Sequence, residues 1–146
     1  MTPTQRQVVT ALSVLAAALI FVGIVSGTVL RHIVQIVPLM VALTLVVRRS
    51  AWGAYAAMPL FLCWLLIAIL IWLFLLGLSR IANGHYTVAE VIATFVMAGA
   101  AIVGVVKSVA LGRSSTWAAR ILAFAGFGLF QFVAMWVSFL QPIANR

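Results

Sequence analysis

Glu90 is the only acidic side chain in the sequence, which has no Asp, and the other groups able to titrate, ligate or pair are few. Thr87-Val88-Ala89-Glu90 precedes an apolar run with the spacing of a capping box, in which an N-cap hydroxyl and an N3 carboxylate satisfy each other's backbone N–H groups. Capping or structural pairing is therefore the first reading of Glu90. A proton or ligand site is the second, because ionisable groups inside membranes are functional candidates by default. His32 and His85 raise haem, since two imidazoles from different helices could act as axial ligands. One falls at the start of an apolar run and the other in a loop beside Gly84, a poor setting for buried, oriented rings, so hydrogen-bonded interfacial histidines are expected. Cys63 is the single cysteine and Glu90 the single acid, so a Cys-rich zinc site, an intrachain disulfide and a carboxylate pair for acid–base catalysis are all excluded. No Gly-rich loop ends in Lys-Ser/Thr to cradle phosphate, and neither Ser79 nor Cys63 lies in a nucleophile motif.

The elements that must position these groups follow from composition. Of the 146 residues, 66% are hydrophobic and 7% charged. Soluble domains carry about 25% charged residues, so this chain has too little polar surface for a monomer in water. An all-α membrane protein is expected, because a hydrocarbon core about 30 Å thick takes about 20 helical residues and leaves irregular backbone without partners. Five apolar runs reach that length, at residues 8–25, 29–47, 55–78, 88–106 and 118–140. Ser26-Gly27-Thr28 closes the first as a tight hairpin, Arg48 and Arg49 end the second before Trp52-Gly53, and Asn83-Gly84 marks a turn between Ser79 and Tyr86. Lys107 to Trp117 reads as a polar connector, and Gln141-Pro142 stops the fifth run. Met58-Pro59 is placed in the first turns of the third, where a missing N–H is tolerated. The first run is longer than a signal-peptide core of about 7 to 15 residues and has one basic residue before it, so it reads as a retained helix. Residues 1–146 read as one integral membrane helical domain, a compact bundle.

Orientation follows from Lys and Arg in the short loops. Arg6, Arg48, Arg49, Lys107, Arg113 and Arg120 fall on one side and Arg31, Arg80 and Arg146 on the other, which predicts N-in and C-out. Trp52 and Trp117 then meet the inner interface and Tyr86 the outer one. The same topology gathers Arg31, His32, Gln35, Arg80, His85, Tyr86 and Glu90 in the outer leaflet, with Thr94 one turn deeper. Helical spacing lines Arg31, Gln35, Pro38 and Ala42 along one face of the second helix, and Glu90, Thr94, Met97, Ala101, Gly104 and Ser108 along one face of the fourth. These two helices are expected to pack on those faces, with Glu90 paired to Arg31 or else to Arg80, since an unpaired charge near hydrocarbon is costly.

Gly23 and Gly27 form GxxxG, and Ala100, Gly104 and Ser108 repeat small residues; both patterns are read first as internal packing. Gln131 is expected to hydrogen-bond between helices, Cys63 to pack as a small hydrophobe, and Trp64, Trp72 and Trp136 to serve core or lipid contact. The net charge of +8 serves anchoring, since no solvated basic domain exists for nucleic acid. The partners expected are the lipid bilayer and other membrane subunits or a second copy of the chain. Eight Arg against one Lys, with abundant Ala and Val, points to a bacterial plasma or inner membrane by composition. Three functional classes follow. The first is a non-enzymatic accessory or structural subunit of a membrane assembly, with no cofactor. The second is a small solute or ion transporter or channel component, which requires a water-accessible cavity lined by Arg31, Gln35, Thr94 and Glu90. The third is a haem- or quinone-binding protein.

Overall fold

The computed structural model describes residues 1–81, 84–112, 116–140 and 143. They form five helices: α1 Pro3–Val25, α2 Val29–Val47, α3 Gly53–Leu75, α4 Val88–Leu111 and α5 Trp117–Ser138. Each is long and apolar enough to cross a membrane, and the chain is an all-α bundle of five membrane-spanning helices. Asn83 of the expected turn, Arg113 and Arg146 of the charge count, and Gln141-Pro142 lie outside the described residues.

Local chemistry explains where the helices begin and end. Thr2 caps α1 by accepting the Gln5 N–H at 3.1 Å, and Pro3 takes the first helical position, where its missing N–H costs nothing. The helix therefore starts ahead of Val8, where hydropathy alone had begun it. α1, α2 and α3 end alike, with Gly27, Arg49 and Gly77 at φ of +69°, +56° and +73°. The next N–H then returns to a carbonyl five residues back: Thr28 to Gly23, Ser50 to Leu45, and Leu78 to Leu73. Gly77 thus stops α3 short of Leu78. Pro59 lies inside α3 rather than in its first turn, because that helix starts at Gly53. At the other boundary, α4 runs past Val106 to Leu111, so the first part of the expected Lys107 connector is helical. Ser108 is fully buried there and Lys107 half-buried, a placement a long side chain tolerates by reaching toward water from a helix end.

α1 packs on α2 and α4, α3 packs on α4, α5 and α2, and α5 packs on α2. Lipid supplies no hydrophobic drive between helices, so close approach at small residues and scattered hydrogen bonds must hold the bundle. Gly104 receives the ring of Phe61, and Gly53 lies so near the Val46 backbone that an added Cβ would come within 2.9 Å of it. Gly23 takes the His32 side chain, whose atoms would stand 3.1 Å from a Cβ. The small-residue patterns at Gly23 and Gly104 therefore serve packing within the chain. Polar ties add Gln5 Nε2 to the Val46 carbonyl, Trp72 Nε1 to Thr94 Oγ1 at 2.7 Å, and Gln131 Nε2 to the Gln35 carbonyl at 3.4 Å. Gln131 thus bridges α5 and α2, the interhelical role its position implies. Leu66, Ile92, Phe132 and Trp136 are among the apolar side chains left exposed on the outside, where they contact the bilayer.

The expected interface between the second and fourth helices is not formed. Both stripes are largely buried: Gln35, Pro38 and Ala42 on α2, and Glu90 through Ser108 on α4. Their partners differ, because α1 and α3 run antiparallel to both and each packs against both. Short connections favour antiparallel neighbours, and parallel α2 and α4 are held apart by the helices that alternate with them.

Candidate functional site

The starts of α2 and α4 lie at one end of the bundle, together with the loop that follows α3. Held apart by α1 and α3, they enclose a cavity of about 490 Å³ rather than an interface. All five helices line it. Its mouth takes Ser26 and Thr28 from the α1–α2 hairpin, His85 and Tyr86 from the loop, and Arg31, His32 and Glu90 from the first turns of α2 and α4. Deeper, it passes Gln35 and Thr94 to Trp64, Met97 and Met135. Glu90 and Met97 are seven residues apart on α4, so the lining descends roughly 10 Å into the bundle at 1.5 Å per residue.

Glu90 is buried and engaged in its own helix start. Its Oε2 accepts the Thr87 N–H at 2.7 Å and the Thr87 hydroxyl at 2.8 Å, while Thr87 Oγ1 accepts the Glu90 N–H. The capping box is complete. Glu90 makes no ion pair with Arg31 or Arg80, so the expected pairing is corrected: the cap, already formed within one turn, claims the carboxylate first. Arg31 instead lies over the Phe139 ring of α5 at 3.8 Å from its centroid, and its Nε is buried with no hydrogen-bond partner. Arg80 is exposed and does not line the cavity, because the loop after α3 carries it to the surface.

His32 Nδ1 lies 3.0 Å from the Thr28 carbonyl and 3.2 Å from its hydroxyl. A carbonyl only accepts, so Nδ1 carries the proton, and in the neutral ring this leaves Nε2 as an acceptor. His85 is exposed in its loop yet reaches the same cavity. Tyr86 packs edge-on against Phe74, with centroids 6.0 Å apart. Burial, reinforced by Glu90 and opposed by Arg31, pushes its phenol above the ordinary tyrosine range, so it stays protonated at neutral pH. Tyr86 therefore lines the cavity mouth as a neutral phenol.

Polar groups continue below the mouth. Gln35 donates through Nε2 to Ser138 Oγ at 2.9 Å, and Ser138 donates to the Met135 carbonyl at 2.6 Å. Gln35 Oε1, Gln131 Oε1 and Trp64 Nε1 are buried without partners. Thr94 is satisfied, donating to the Val91 carbonyl at 2.7 Å and accepting from Trp72. Six of the seven candidates read from the sequence, namely Arg31, His32, Gln35, His85, Glu90 and Thr94, line one cavity. Sequence reasoning missed Trp64, Met135 and Phe139, because nothing local in α3 or α5 shows which face meets α2. An indole N–H donor in the middle of the third apolar run was the available signal for Trp64. Among the described residues no cluster of three His, Cys, Asp or Glu side chains could hold a metal ion. Compared with protein-family models, with curated proteins and with solved structures, the chain matches none.

Proposed function

We propose that this multi-pass membrane protein is a ligand-binding component of a membrane transport system, loaded through the cavity at the α2–α4 end. The cavity itself carries this reading. It is lined by Arg31, Gln35, Thr94 and Glu90, the set a transporter requires, and its volume of about 490 Å³ falls within the range of small-molecule sites. A purely structural subunit needs no such polar-lined cavity. A second cavity of about 430 Å³ opens at the opposite end, between Gln5, Arg49, Ser50 and Gly112. Leu12, Leu39, Ala57, Phe61 and Ala101 lie fully buried at the levels between the two. Vestibules on both faces with a sealed middle suit alternating access. The loop charges support the N-in, C-out orientation, and the Arg-rich composition supports a bacterial plasma or inner membrane.

Native mass spectrometry of protein extracted from its own membrane in mild detergent tests the reading. Small-molecule adducts are expected, and they disappear when Ile67→Trp fills the cavity while helical circular dichroism is unchanged. An adduct-free chain that co-purifies with a larger membrane protein supports the accessory-subunit reading instead. That alternative draws on the broad apolar faces left outside the bundle and on extramembrane segments too short for a domain.

A further inference from the structure

The geometry points to a zwitterion with a primary ammonium group and an apolar arm as the ligand of this cavity, an inference that rests on the cavity being a ligand site. Two opposite full charges, Arg31 and Glu90, line one cavity and do not pair. In surroundings of low dielectric, leaving them apart forfeits a large attraction. Each is held by something else. The Arg31 guanidinium covers the Phe139 ring, and the Glu90 carboxylate is bound to Thr87. Neither contact cancels a charge. A ligand anion at Arg31 would leave Glu90 unmatched, and a ligand cation at Glu90 would leave Arg31 unmatched. A molecule bearing both groups neutralises both.

Hydrogen-bonding capacity narrows the cation. His32, with Nδ1 committed to Thr28, lines the mouth from α2 with Nε2 as a further acceptor, and the Glu90 carboxylate lines it from α4. Two acceptors suit an ammonium that carries N–H donors and are wasted on a quaternary one. A quaternary ammonium is recognised by several open aromatic faces forming a cage, whereas here Arg31 covers the Phe139 ring, Tyr86 packs edge-on against Phe74, and Trp64 is buried below the mouth. Below the charged mouth, Leu19, Ile67, Leu70, Met97 and Met135 offer an apolar floor for the arm. A single-chain aminophospholipid arriving from the bilayer and a free apolar amino acid arriving from water share this chemistry.

The test uses the purified full chain in detergent, with Ile67→Cys introduced in a Cys63→Ser background. Four probes are compared for protecting that cysteine from a water-soluble maleimide: lysophosphatidylethanolamine, lysophosphatidylcholine, lysophosphatidylglycerol and free leucine. Saturable protection is expected from lysophosphatidylethanolamine or leucine, at concentrations about tenfold or more below those of the other two lipids, the discrimination typical of one charge-assisted hydrogen bond. The first alone identifies a lipid source and the second an aqueous one. Arg31→Gln and Glu90→Gln are each expected to weaken protection by about tenfold or more. Glu90→Gln keeps the cap, because Gln serves at N3, so its loss of binding reports the charge. Equal protection by lysophosphatidylglycerol, or protection by none of the probes at a reactive cysteine, overturns the zwitterion inference and leaves the cavity standing. A cysteine at position 67 that no maleimide reaches overturns the cavity reading and the inference with it.

Discussion

At Glu90 the backbone and the charge make separate demands on one side chain. The backbone needs an acceptor at N3 for the Thr87 N–H, and Gln meets that need as well as Glu. Glu90→Gln is therefore expected to stay within about 0.5 kcal/mol of the parent in unfolding free energy, whereas Glu90→Ala, which removes the acceptor of the Thr87 N–H, loses about 1–3 kcal/mol, the cost of leaving that group unsatisfied. Chemical unfolding in detergent followed by circular dichroism separates the two, and equal losses would contradict the capping role. The cap was legible in the sequence because four consecutive residues build it. The partner of Arg31 was not legible: Phe139 lies 108 positions along the chain and reaches Arg31 only because α5 packs on α2. The outward course of Arg80 depends likewise on how the loop leaves α3.

Helices in this bundle meet where glycine lets them. At the α2–α3 contact a Cβ on Gly53 would press on the Val46 backbone, which cannot swing aside as a side chain can. Gly53→Ala is expected to cost about 1–3 kcal/mol through overpacking. Gly128 is the internal control, since a Cβ there would meet Pro59 Cβ at an ordinary 3.6 Å. Gly128→Ala gains helix propensity, up to about 1 kcal/mol, with nothing to displace. Thermal melts of the two variants in one detergent are expected to move in opposite directions; a melting temperature for Gly53→Ala equal to the parent's would remove the close α2–α3 approach. Most element ends followed local signals, including the hairpin at Gly27 and the α2 end at Arg48. Those misjudged came from weighing hydropathy over capping: Thr2-Pro3 starts α1 among polar residues, Gly77 stops α3 inside an apolar run, and Ser108 continues α4 because it faces inward.

For the molecule as a whole, the charge asymmetry predicts that the cavity mouth opens on the outer face. Single cysteines at Ile81 and Ala51 in a Cys63→Ser background report this, both sites being exposed and on opposite ends of α3. In intact cells, Ile81→Cys is expected to react with an impermeant maleimide and Ala51→Cys only after permeabilisation; the reverse pattern would invert the orientation. The sequence by itself determined that the chain lives in a bilayer, crosses it in five helices and buries particular stripes of α2 and α4. Composition, segment length and helical period are local properties, and the hydrocarbon core leaves the backbone few alternatives. Tertiary structure alone decided which stripes meet. In lipid that choice rests on shape, such as the Phe61 ring lodged against Gly104, rather than on hydrophobicity, which every helix face shares. By setting α1 and α3 between α2 and α4, packing left the chain's lone acid and Arg31 lining one cavity without pairing.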